Sequence, residues 1–149
     1  AAHAHGGYPV TPYVVDSISD KDGNIISQTE TNIRRQVISE EVSRQLLSMM
    51  ENNVHGAGNY HSCANAYVAG YRIGGKSGTS QKLDSANEGA RIASFVSVAP
   101  IDDPKVAVLV CLDEPHSWTT SGGALSGPVC AEVLGKVLPY LGVEPESAE

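Results

Sequence analysis

The chain has 149 residues, 41% of them hydrophobic and 18% charged, enough for one domain with a packed core. Its formal charge of −7 and the absence of any Lys/Arg run exclude a nucleic-acid binder that works through phosphate contacts. The longest apolar run, residues 106–112, is too short to span a bilayer, and the opening AAHAHGG reads as the tail of a helix, not as a signal peptide.

Residues 13–18 are rich in β-branched side chains, DKDGN supplies a turn, and residues 25–27 resume the pattern, which predicts a hairpin. Ser39 reads as a helix N-cap, with Glu40 and Glu41 at the positive end of the helix dipole. Val42, Leu46, Met49 and Met50 then form one apolar stripe of a helix ending near Asn53. The polar loop VHGAGNYHSCAN brings His61 and Cys63 close in sequence. Neither that pair nor His3 and His5 completes a ligand set, so no metal site and no cofactor is expected. Cys63, Cys111 and Cys130 are too widely spaced for a CxxC site, and the apolar settings of Cys111 and Cys130 predict two buried thiols.

Residues 67–73 predict a strand leading into GGKSGT, and residues 82–90 predict a loop. Residues 93–98 and 106–112, joined by PIDDP, predict a second hairpin. Its second strand, VAVLVCL, is apolar on consecutive residues and calls for cover on both faces, some of it from outside this chain. Gly127-Pro128 marks a helix start, Val129, Val133, Leu134, Val137 and Leu141 its buried stripe, and Gly142 its C-cap. The fold class that results is α+β, an antiparallel β-sheet of about three to five strands flanked by helices.

One stretch carries chemistry. Residues 70–80, GYRIGGKSGTS, fit the phosphate-loop pattern G-x-x-x-x-G-K-[ST], yet from Lys76 to Thr79 they also read K-S-G-T. A phosphate loop must open a helix at its Lys-Ser, and Gly78, Thr79, Ser80 and Gln81 cannot propagate one. On a strand beside a cleft the same residues make sense differently. The lysine is a cation and proton-relay group, the hydroxyl orients a substrate carboxylate, and the glycine lets a substrate backbone lie close.

The order PVTPYVVDSISDKDGNII, RQVISEEVSRQLLSMM, AGYRIGGKSGTSQ, ASFVSVAPIDDPKVAVLVCLDEP and GGALSGPVCAEVLGKVLPYLGVEP resembles the C-terminal half of the transpeptidase domain of class B penicillin-binding proteins. The resemblance covers essentially all residues 1–149 and implies the penicillin-binding transpeptidase and serine β-lactamase-like fold. It implies a peptidoglycan D,D-transpeptidase, in which a serine in S-x-x-K is acylated by a D-Ala-D-Ala stem peptide or a β-lactam antibiotic and released by a neighbouring amine. No serine here has lysine three residues on, and Ser85-Ala86-Asn87 fits the family's S-x-N element but follows the K-S-G triad instead of preceding it. The chain is therefore expected to be a part that lacks the nucleophile-bearing half and is inactive alone.

The resemblance assigns roles. Lys76 brings positive charge to the cleft and holds the hydroxyl network of the second motif, so Lys76 and Thr79 are the catalytic candidates. Ser77 and Thr79 bind the terminal carboxylate, Gly78 keeps the strand open for the substrate, and Gln81 adds a weaker polar contact. The backbone N–H of Thr79 is one of two oxyanion-hole donors, the other belonging to the absent serine. Ser97 stands where the family usually has glycine. Expected partners are the stem peptide, β-lactams, the missing half of the domain and division or elongation proteins, at the extracytoplasmic face of the membrane, with no nucleic acid. A non-catalytic scaffold derived from such a domain and a β-lactamase or β-lactam sensor remain as other readings.

Overall fold

The computed structural model describes residues 6–56 and 63–146, so His3, His5, His61 and the first five residues of the expected helical tail lie outside the described residues. The chain divides into two compact units, residues 1–44 and 45–149.

In the first unit, β1 (Ser17–Ser19) pairs antiparallel with β2 (Ile25–Gln28). The turn between them is tied by one carboxylate. Asp20 Oδ1 accepts the N–H groups of Asp22 and Asn24 at 2.9 Å, and Oδ2 accepts Asn24 Nδ2 at 2.9 Å. The Asn24 side chain, followed by its backbone N–H, holds the Asp20 carboxyl below the usual range, because these bonds favour the charged form. The expected hairpin is present, though only the end of residues 13–18 is regular strand. Ser39 caps α1 (Glu40–His55) as expected, its Oγ accepting the Val42 N–H at 3.2 Å.

In the second unit, β3 (Gly74–Gln81), β4 (Arg91–Ala99) and β5 (Val106–Asp113) form an antiparallel sheet in that order, and α2 (Gly122–Tyr140) packs on one face. Phe95, Ser97 and Ala99 of β4, with Val106, Val108 and Val110 of β5, meet Cys130, Leu134 and Leu138 of α2. These α2 residues recur every four positions and are fully buried. The helix closes in a Schellman motif: Val143 N–H donates to Leu138 O and Gly142 N–H to Pro139 O, both at 3.0 Å, with Gly142 at φ +73°.

Several expectations shift. Residues 67–73 are not a strand, since Gly70 at φ +79° turns the chain there. The segment is fastened by side chains, with Arg72 gripping Glu51 through two bonds of 2.7 and 2.8 Å. The buried face of α1 is Leu47 and Val54 with Met50 beside them, while Val42 and Met49 are exposed. The doublets Leu46-Leu47 and Met49-Met50 fit two adjacent stripes, and the true one puts Met50 and Val54 over Gly74 and Gly75. Helix α2 begins at Gly122, and Pro128 lies inside it; Val129 and Leu141 are exposed, whereas Val133 and Val137 are partly buried. Strand β5 alternates, with Leu109 67% exposed on the face away from α2. Cys111 shares that open face, so only Cys130 of the two expected thiols is buried.

Two outcomes test this packing. Among the described residues, Ser97 Oγ is buried without a well-formed hydrogen bond. Its weak partner is the Cys130 thiol, which burial pushes up and a poorly placed bond from the Ser97 hydroxyl pulls only partly back, since that sulfur is a poor acceptor. Leaving a hydroxyl unpaired costs about 1–3 kcal/mol, so Ser97→Ala is expected to raise the unfolding free energy by roughly 1 kcal/mol in urea titration. An unchanged or lower midpoint would count against this account of the core.

The second concerns His55 at the end of α1. Its Nε2 accepts the Ile73 N–H at 3.1 Å, and its ring stands edge-on to Tyr67 at 5.1 Å. Burial, with Arg72 opposing the charge of Glu51, lowers the His55 pKa from 6.5. The neutral form is thus favoured in the fold, and its contribution is complete above the unfolded value and lost as pH falls below it. Wild-type chain should lose more stability between about pH 7.5 and about pH 5.5 than His55→Gln, whose side chain does not titrate there. Parallel pH profiles would refute it.

Candidate active site

All five residues expected at the site lie on β3. Opposite them on β4, Lys76 faces Val96, Ser77 faces Phe95, Gly78 faces Ser94, Thr79 faces Ala93 and Gln81 faces Arg91. GGKSGTS is therefore extended strand, and no helix follows Lys76, which removes the phosphate-loop reading.

The alternation of an antiparallel pair decides which groups are available. Lys82 N–H donates to Ala90 O, so even-numbered β3 residues turn their backbone groups toward β4. Odd-numbered carbonyls turn outward, as their partners show: Gly75 O accepts from Asn53 Nδ2 at 3.2 Å, and Ser77 O from Lys76 Nζ at 2.6 Å. β3 is an edge strand. The N–H groups of Ser77 and Thr79 therefore lie along its free edge.

Side chains divide by the same rule. Ser77, Thr79 and Gln81 share the face of Phe95 and Ala93, where α2 packs; Lys76 is on the other face and reaches back across the edge to Ser77 O. Lys76, Thr79 and Gln81 are exposed, while Ser77 and Gly78 are half-buried. One cation, two hydroxyls and two open N–H groups thus border one strand edge. Such a set suits an extended, carboxylate-bearing chain pairing with the strand.

Ser85 and Asn87 sit elsewhere and do local work. Ser85 Oγ accepts the Asn87 N–H at 3.1 Å and Asn87 Oδ1 accepts the Gly89 N–H at 2.9 Å, both turn-forming bonds. The loop is pinned where Lys82 meets Asp113 and Glu114, each at 2.9 Å. Lys82, and after it the Ser85 hydroxyl, holds the Glu114 carboxyl below its usual range.

Two supports were given no role at the site in the sequence reading. Asn53 and His55, on the last turn of α1, bond Gly75 and Ile73 and so fix the start of β3. Gly122, the first residue of α2, donates its N–H to Thr79 Oγ1 at 3.1 Å. The signal for it was the pair Gly122-Gly123 in a position where a helix needs neither.

The penicillin binding protein transpeptidase domain, as a family, matches residues 1–135. The chain is 36% identical to stage V sporulation protein D of Bacillus subtilis, over 97% of this chain and 22% of that protein. It is 33% identical to the peptidoglycan D,D-transpeptidase FtsI of Escherichia coli, over 74% of this chain and 19% of that one. Penicillin-binding protein A of Mycobacterium tuberculosis, solved as a ceftriaxone acyl-enzyme complex, superposes with a TM-score of 0.77 at 27% identity, over 90% of this chain and 29% of that one. The chain thus spans about a fifth of the length of both sequence relatives. From the match over residues 1–135 and the shared fold, the chain belongs to the penicillin-binding protein transpeptidase family.

Proposed function

We propose that this chain forms the K-S-G-T wall of a class B D,D-transpeptidase that cross-links peptidoglycan stem peptides through an acyl-serine intermediate. The observation that carries this is the free edge of β3, where Ser77 and Thr79 offer N–H groups outward beside the Lys76 ammonium. The nucleophilic serine and the second motif come from the remainder of the same domain, because no serine of these 149 residues has lysine three positions on.

In this reading the donor peptide pairs antiparallel with β3, its terminal carboxylate bound by the hydroxyls of Ser77 and Thr79, with Gln81 a weaker contact further along. Gly78 leaves the strand without a side chain that would lift the substrate. The serine oxygen attacks the carbonyl of the penultimate D-Ala, the Thr79 N–H steadies the resulting oxyanion, and the terminal D-Ala leaves. An acceptor amine then takes the acyl group and regenerates the serine. A β-lactam follows the first half of this path and stays bound. The site is extracytoplasmic, where its peptide substrate is found, and no metal or cofactor is needed.

The test is the second-order acylation rate with a fluorescent penicillin in the intact protein. Losing a hydrogen bond to a charged group costs about 1.5–3 kcal/mol, so Thr79→Val should slow acylation by roughly ten- to a hundredfold. Lys76→Ala, which removes a full charge, should be worse, and Ser85→Ala should do little. The isolated chain should take up no label. Stoichiometric labelling of it, or Ser85→Ala as the most damaging change, would sink the assignment, and rapid turnover of the bound drug would mark a β-lactamase instead.

A further inference from the structure

We infer that Gly122 is a positioning residue for the carboxylate site: its backbone N–H, donated to Thr79 Oγ1, frees the Thr79 O–H to point at the ligand. This rests on the reading of β3 given under the proposed function. A threonine hydroxyl has one proton to donate and two lone pairs to accept with. A carboxylate can only accept, so it needs that proton. The Gly122 N–H at 3.1 Å occupies a lone pair and leaves the proton for the open edge. Accepting a bond also polarises the hydroxyl and strengthens it as a donor.

The bond matters equally to the helix. The first N–H groups of a helix have no partner within it. Ser121 occupies the N-cap position of α2 but makes no side-chain cap bond. Thr79, from a strand forty-three residues away in sequence, supplies an acceptor instead.

Only glycine fits here. A Cβ on Gly122 would run into the carbonyl oxygens of Gly78 and Ser94 and the nitrogen of Ser94, all backbone and unable to swing aside. The first turn of α2 is docked on the sheet by contacts of the same kind, with Ser126 Oγ donating to Ala93 O at 2.9 Å one turn later. A side chain at residue 122 must lift that turn and withdraw the N–H from Thr79.

The experiment compares acylation of the intact protein by a penicillin and by its methyl ester, which lacks the carboxylate charge. The ratio of the two rates within one sample is independent of how much protein is folded. Gly122→Ala should reduce the acid-over-ester preference by about tenfold, and in a Thr79→Val background the same change should alter it less than about twofold, since the acceptor is already gone. Ser126→Ala, which weakens docking without touching Thr79, should leave the preference unchanged.

Additive losses in the double variant, or an equal loss for acid and ester, overturn the inference. A wild-type protein with no acid preference, or Thr79→Val that keeps it, overturns the reading beneath it instead. Should Gly122→Ala fail to fold, Thr79→Val alone decides: hydrogen exchange at the Gly122 amide should accelerate by more than about tenfold, and unchanged exchange refutes the bond.

Discussion

Neighbours come up against the bare main chain of β3, and the rest of the unit is arranged to permit it. Gly74 and Gly75 let Met50 and Val54 of α1 close over the start of the strand, and Gly122 lets the first turn of α2 sit against the carbonyls of Gly78 and Ser94. Approach this close lets hydrogen bonds do the fastening that side-chain packing does elsewhere: Asn53 to Gly75, His55 to Ile73, Gly122 to Thr79, Ser126 to Ala93. The strand is thereby fixed at both ends while its outer edge stays open. A strand edge that is rigid and yet unpaired is built most simply in this way.

The apolar core serves the same end from further off. Leu134 and Leu138 hold α2 on β4 and β5, with Phe95 and Cys130 filling the space nearer the site. Removing such a leucine costs about 2–5 kcal/mol. That reserve outweighs the weaknesses carried at the surface and core, such as the exposed Leu109 and the weakly bonded Ser97 hydroxyl.

Much of this was legible in the sequence. The two hairpins, the Ser39 cap, the Gly142 cap and the strand character of GGKSGTS all follow from local chemistry, and each is present. What was misread was decided by neighbours at a distance. Gly127-Pro128 read as the helix start, whereas α2 begins at Gly122, a poor helix former whose lack of a side chain the sheet behind it requires. The Leu46-Leu47 and Met49-Met50 doublets gave periodicity no way to choose a face. β5 presents Ala107, Leu109 and Cys111 away from α2, on the face for which the sequence called for cover from outside this chain. At the candidate site, the K-S-G-T stretch was readable but its contact with α2 was not, because Gly122 makes it through a main-chain N–H that every residue except proline carries.

The three close-packed glycines also bear on how this protein can change over generations. At Gly75 and Gly122 even a single methyl meets a packed ring or fixed main chain, so drift there is closed to every other residue unless two elements move together. Ser80, Gln81, Leu83 and Asp84 stand exposed just beyond. Variation is thus steered to the far end of β3 and the loop after it, which can change while the packed start of the strand stays in place.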